Sequence, residues 1–296
     1  YFTVYSREQN LVPPSSASTN AWNAKVNLNS ADLPTLQQEL NTVAGEQVSN
    51  FVMAYRLYGA SRQPVSTVTV LANLASGKGS SGGVSGMNSN DYTLVTTEIS
   101  NKMQQASTGM AKLNKIANIM DLVSKNVDIS VGSGKTQKTV TFPSPLKDPM
   151  LAKQYLPSLY QGYTTSQDVD FLLTADPVLL AGLPSLQESD LQNIVGTRPS
   201  SMVSDDPLYQ SPTWLFTEAK LDPNKIRSLE RYVTGRSTAY RVRIMGKLDQ
   251  GGPMGLMEVV VDISGPRPRV VYFRDLSEKA RQARDAGADP AKLAGL

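Results

Sequence analysis

The sequence contains no cysteine and no histidine. Disulfides, thiol nucleophiles, zinc sites built on thiolate or imidazole, and every triad that needs an imidazole base are therefore excluded. The lack of cysteine is neutral about compartment, because a thiol-free chain is as safe in an oxidising space as in a reducing one. No run approaches the roughly 20 consecutive apolar residues of a membrane-spanning helix. There is no initiator methionine: Tyr1 opens directly into the strand-like run YFTVYS, as expected of a processed product or a piece of a longer protein. No carboxylate pair, Ser/Lys dyad or metal cluster has a catalytic spacing. The chain reads as a non-enzyme with no residue assigned to catalysis or to a cofactor.

What is present is a globular composition. Of 296 residues, 40% are hydrophobic and 19% charged, enough for a sizeable core, while 21 Gly and 18 Pro imply many turns. The net charge of +3 conceals an asymmetry: from Lys220 onward there are 15 Lys and Arg against 9 Asp and Glu, and the first 219 residues carry 14 against 17. A basic end of this kind suits nucleic acid, an anionic membrane surface or an acidic partner. Its plain alternative is a solvated strand face with arginine at every second position.

The clearest pattern lies between Ala239 and Glu278, where period-two alternation predicts three antiparallel strands. Tyr240, Val242, Ile244 and Gly246 alternate with Arg241, Arg243, Met245 and Lys247, giving one side for a core and one for water. Asp249 to Pro253 supplies the first turn, Gly255 to Ile263 is β-branched and apolar, and Ser264-Gly265-Pro266 turns the chain into Arg269 to Arg274. Such a meander needs a helical layer on its apolar side, since so few strands bury too little by themselves.

Upstream, a polar connector over Pro13 to Asn20 leads to a helical pair. Ser30 is expected to cap a first helix carrying Leu33, Leu36, Leu40 and Val43 inward, Gly45 breaks it, and Glu46 to Tyr58 forms a second helix that ends at Gly59. Gln63 to Asn73 has strand or short-helix character, followed by a low-complexity Gly/Ser loop from Ala75 to Asn90. Thr108 to Lys125 has a 3.6-residue period and predicts a helix with Met110, Leu113, Ile116, Ala117, Met120 and Val123 on one face, one candidate for covering the sheet. A hairpin over Val127 to Val131 and Lys138 to Phe142 and an amphipathic helix over Asp148 to Tyr163 come next.

A second helical pair begins at Asp168, with Asp176-Pro177 as cap, Leu179, Leu180 and Leu183 buried, and Ser185 to Glu188 spelling a capping box for a helix to Thr197. The two pairs look like a repeat closed by Arg56 and Arg198. After a turn-rich loop, Pro199 to Ser211, short helices start at Ser211-Pro212 and Asp222-Pro223, the latter running to about Val233. The resulting parts are a strand lead-in with the first pair (1–74), the Gly/Ser loop (75–90) and amphipathic helices with a small hairpin (91–167). The second pair with connecting helices (168–236), the meander (237–278) and a charged helical tail fraying at Gly287 (279–296) complete the chain.

Three short features invite chemistry. Gly132-Ser133-Gly134-Lys135-Thr136 resembles the end of a phosphate loop, but Ile129 stands where that motif needs glycine, and a hairpin turn is the better reading. The helical pairs resemble helix-hairpin-helix modules that hold phosphate on glycine amides, yet Glu46 follows Gly45 directly and Pro184, Glu188 and Asp190 spoil the second hairpin. Nucleic acid is therefore disfavoured, with a competence-like helix-hairpin-helix binding module kept as the alternative function. Asp168 with Asp170, and Asp205-Asp206, have oxygens for calcium but no regular ligand spacing, so they read as solvated loop carboxylates and metal ligands stay unassigned.

Taken in order, VNLNSAD with its helical pair, KLNKIANIMDLVSKNVDI, ADPVLLAGLPSL, SPTWLFTE and the run from YRVRIMGK to YFRDLSE resemble the large K-type minor pseudopilins of type II (general) secretion systems, in their long variants. The likeness is strongest from Thr174 to Glu278. It implies an α+β fold: an antiparallel pseudopilin-type sheet, here the C-terminal meander, interrupted by a large helical domain with helix-hairpin-helix or SAM-like pairs. It also implies a structural role at the tip of the periplasmic pseudopilus, in its assembly and in protein export. The partners would be the other minor pseudopilins of the tip complex, exported proteins, and the inner membrane through an N-terminal helix missing from this chain. Localisation would be periplasmic, on an inner-membrane anchor. The family binds calcium in its helical domain, but no ligand can be matched to a residue here.

Overall fold

In the computed structural model the described residues are 11–12, 23–61, 87–109, 112–132, 134, 137–165, 183, 185–198, 206, 208–230, 238–247, 254–263 and 267–289. Several expectations lie outside them: the opening strand, the connector over Pro13 to Asn20, Gln63 to Asn73, most of the Gly/Ser loop, Asp168 to Gly182, the stretch around Pro199 to Asp205, the end of the last short helix at Val233, and both meander turns. The chain divides into two compact units. One comprises residues 1–24, 169–173 and 236–296, and the other residues 25–168 and 174–235. The second unit is thus inserted into the sequence of the first. Helices and antiparallel sheets coexist, which makes the fold α+β.

In the first unit, β1 (Leu11–Val12) pairs antiparallel with β2 (Asn23–Ala24). The second unit opens with β3 (Val26–Asn27), which leads into α1 (Leu33–Tyr58). Asp32, rather than the expected Ser30, caps α1 by accepting from the Thr35 amide at 3.2 Å. Gly45 interrupts α1 at φ 76°, ψ 166°, and the two arms fold back on each other: the Ser49 hydroxyl donates to the Gln37 carbonyl at 3.1 Å and the Gln37 amide to Asn50 Oδ1 at 3.1 Å. The expected helix, short hairpin and helix are therefore present. Leu33, Leu36, Leu40, Val48, Phe51 and Val52 are buried, but Val43, expected inward, is 39% exposed because the break at Gly45 turns its side outward.

The helix α2 (Ser89–Ser107) follows, capped by Asn88 and ended at Gly109 with φ 76°. The helix expected over Thr108 to Lys125 is not there. Residues 112–118 form no regular structure, and helix resumes only as α3 (Asp121–Ser124). The reason is tertiary. The Asn29 side chain binds Ile116 like a strand neighbour, donating to its carbonyl at 2.9 Å and accepting from its amide at 2.8 Å, and it also donates to the Thr165 carbonyl at 2.9 Å. The Asn114 amide donates to the Arg56 carbonyl at 2.7 Å. These bonds satisfy an extended backbone, so Ile116 is buried without a helix while Ala117 stays exposed.

The hairpin matches its sequence reading residue for residue: β4 (Val127–Val131) pairs with β5 (Lys138–Phe142). A 3-10 turn over Pro145–Lys147 follows, then α4 (Pro149–Gly162), capped by Asp148, and β6 (Tyr163–Thr164), parallel to β3. In the second pair only the latter helix lies within the described residues, as α5 (Glu188–Thr197). Its cap is Gln187, not Ser185. Ser185 takes the left-handed φ of 67°, and the Asp190 carboxylate accepts from the Gln187 amide at 2.9 Å while also holding the Lys225 ammonium at 2.7 Å. Then come α6 (Thr213–Thr217) and α7 (Pro223–Leu229), both where expected. The Arg227 guanidinium pairs at 3.2 Å with the buried Asp121 carboxylate, tying α7 to α3.

One core unites this unit. Phe142 meets Phe51 edge-on at 5.6 Å and Tyr92 at 6.1 Å, joining β5 to α1 and α2. Arg56 is 2% exposed, and its guanidinium donates to the backbone carbonyls of Asn114, at 2.8 Å, and Leu28. Burial lowers its pKa from the ordinary arginine range, and backbone carbonyls, not a carboxylate, receive its protons. Removing that fork leaves the buried Leu28 carbonyl and the half-buried Asn114 carbonyl without this donor, so Arg56→Met should destabilise the unit by about 2–4 kcal/mol in denaturant titration. Gly45→Ala should cost about 1–2 kcal/mol, since its φ is left-handed and a new Cβ would stand 3.3 Å from Tyr155 Oη. Gly196→Ala, in α5 with open space around it, should instead stabilise by about 0.5–1 kcal/mol.

Candidate interaction surface on the meander

The remaining elements belong to the first unit. The strands β7 (Ala239–Lys247), β8 (Met254–Asp262) and β9 (Arg269–Asp275) form an antiparallel sheet in the order β7-β8-β9, and α8 (Ser277–Asp285) returns onto β8, with Ala280 fully buried. Ser277 fixes that return: its hydroxyl accepts from the Leu256 amide at 3.1 Å, and the Leu276 amide continues the ladder onto the Leu256 carbonyl at 2.7 Å. The tail helix stops before Gly287, at φ 74°, as its sequence suggested.

Register assigns the two sides. Tyr240 faces Val261, Val242 faces Val259 and Ile244 faces Met257, and across β8 Val259 faces Phe273 and Val261 faces Val270. These apolar residues share one side of the sheet. That side was expected to be core. It is open instead: Tyr240 is 49% exposed, Val242 42%, Ile244 49%, Val270 59% and Phe273 60%. Alternation dictates that the side is apolar but says nothing about what covers it. A contiguous apolar sheet side left in water marks an interaction surface.

The opposite side carries Arg241, Arg243, Met245 and Lys247 from β7, as expected, with Leu256, Glu258, Val260 and Asp262 from β8 and Arg269, Tyr272 and Arg274 from β9. Arg243, Glu258 and Arg274 form one row across the three strands. The Arg243 guanidinium donates to Glu258 Oε2 at 2.8 Å. That bond, followed by the charges of Arg241, Arg243 and Arg274, holds the Glu258 carboxyl below its ordinary range despite the opposing effect of burial.

The sequence-flagged alternatives are placed as follows. Gly132 (φ 88°) and Gly134 (φ 58°) turn the chain from β4 to β5, so this segment joins strand to strand and lacks the helix a phosphate loop needs. A Cβ at Gly45 would stand 3.3 Å from the Tyr155 hydroxyl, so Tyr155 fills the space on that side of the break between the two arms. Asp206 accepts from the Leu208 amide at 2.9 Å, a turn-stabilising role, while Asp168, Asp170 and Asp205 lie outside the described residues. Among the described residues no group of three acidic side chains converges on a metal-sized site. No helix among them is long and apolar enough to cross a membrane. Comparison with family models, with curated proteins and with solved structures returns no match.

The depressed Glu258 carboxyl links the meander to pH. A carboxylate whose folded pKa lies below its unfolded value contributes stability above the unfolded pKa, and that stability is lost as pH falls through the folded one. The protection factors of β7 and β8 amides, corrected for the intrinsic exchange rate at each pH, should therefore fall between about pH 5 and pH 3. In Glu258→Gln the fall in protection over that window should be smaller.

Proposed function

We propose that this chain is the periplasmic part of a K-type minor pseudopilin, a structural protein that caps the type II secretion pseudopilus and helps start its assembly. The observation that carries the reading is the open apolar side of the meander in a unit whose sequence is interrupted by a helical unit. A pseudopilin has that order of parts, and its long N-terminal helix supplies the missing apolar partner. Burying side chains such as Phe273, Tyr240 and Ile244 under a helix would stabilise each by about 1.5–3 kcal/mol if coverage were complete. The helical unit then serves as the bulk that ends the filament and faces exported proteins, and the other minor pseudopilins sit beside it.

In this reading the protein has no catalytic step. Its work is geometric: a membrane helix anchors the sheet, the sheet joins the tip complex, and the inserted unit is held rigid by its own core. The test is to isolate the intact mature protein from the cell envelope and sequence its N-terminus. A run of about 20 apolar residues beginning almost at that terminus is expected. A polar start with no such run ahead of Tyr1 would sink the reading.

A further inference from the structure

The positive charge of the meander is concentrated on one side. Arg241, Arg243, Lys247, Arg269 and Arg274 all lie on the side opposite the apolar residues and all are exposed, and of the β8 residues they face, Met254, Glu258, Val260 and Asp262, only Glu258 and Asp262 are acidic. The row Arg243–Glu258–Arg274 shows what this side accepts. One carboxylate sits between the guanidinium groups, hydrogen-bonded by Arg243, and Arg241 and Arg274 act on it only through space. Their planar, forked donors remain for a second carboxylate.

We propose that this side of the sheet docks an acidic segment of a partner protein, held by carboxylates that pair with Arg241 and Arg274 on either side of Glu258. Two features favour a peptide over a lipid surface. The cations are mostly arginine, whose planar, forked donors match a carboxylate, and one of them already holds the Glu258 carboxylate on this side at 2.8 Å. Surface binding to a bilayer needs apolar side chains beside the cations. Here Leu256 and Val260, which lie beside the cations, are buried, and the exposed apolar residues Tyr240, Val242, Ile244, Val270 and Phe273 lie on the other side. The inference does not depend on the pseudopilin reading, because it uses only the register and charge of the meander.

The experiment uses the full chain and a fluorescein-labelled short peptide with glutamate at alternate positions, read by anisotropy at low salt. Binding should weaken steeply as salt is added and should be absent for the same peptide with glutamine in place of glutamate. The double variant Arg241→Ala/Arg274→Ala should bind about five- to tenfold more weakly, the combined effect of two exposed charge pairs. Glu258→Gln, which removes the internal competitor, should bind about two- to threefold more tightly, a gain that no merely structural role of Glu258 would produce. Unchanged affinity in the arginine variant, or weaker binding in Glu258→Gln, would overturn the proposal. So would retention on phosphatidylglycerol vesicles with no binding of the peptide, which would make the occupant a lipid.

Discussion

A buried guanidinium organises the helical unit. Arg56, in the last turn of α1, reaches two stretches of chain that form no long element of their own: Leu28 in the lead-in and Asn114 in the segment before α3. Burying a cation is costly unless its donors are satisfied. Two backbone carbonyls accept from it here, and Asn114 returns the bond through its own amide to the Arg56 carbonyl. The stretch around residues 112–118 is therefore held extended, with Asn29 completing the clamp at Ile116. Its apolar residues reach the core that Phe51 and Phe142 share without forming a helix.

The meander follows a different logic. Its strands sort by alternation into an apolar side, whose edge-strand residues stand exposed, and a basic side, whose arginines are exposed while Leu256, Glu258 and Val260 between them on β8 are buried. The small set of buried apolar residues on these elements, Leu256, Val259, Val260 and Ala280, is modest for a sheet of three strands. Such a sheet gains stability by acquiring partners. An apolar helix and an acidic segment are chemically distinct occupants, so the two sides can be engaged at once without competing.

The elements most legible in the sequence were those whose pattern is local. The β4-β5 hairpin, the three meander strands, α4 behind Asp148, and the break at Gly45 needed only alternation, caps and a residue with free φ. The sequence reading failed where a local pattern had a tertiary competitor. Thr108 to Lys125 has a helical period, but Gly109 ends α2 and Asn29 and Arg56 supply extended-chain partners from far upstream. The cap of α5 moved from Ser185 to Gln187 because Asp190 is also fixed by Lys225 on α7. As for the candidate surface, its residues were all identifiable in sequence, whereas the row Arg243–Glu258–Arg274 was not. Forming it requires the register of both strand pairs, including the irregularity between Val260 and Val261.

Composition by itself excluded cysteine and histidine chemistry, and periodicity by itself determined that the C-terminal strands have one apolar and one basic side. Both follow from residue identity and from the two-residue repeat of a strand, which require no distant contact. Tertiary structure alone decided that Arg56 is buried on carbonyls, that an apparently helical stretch is extended, and that the apolar side of the meander stands open. The physical reason is common to all three. Each depends on which distant groups come within hydrogen-bonding or packing distance, and a local pattern contains no information about that.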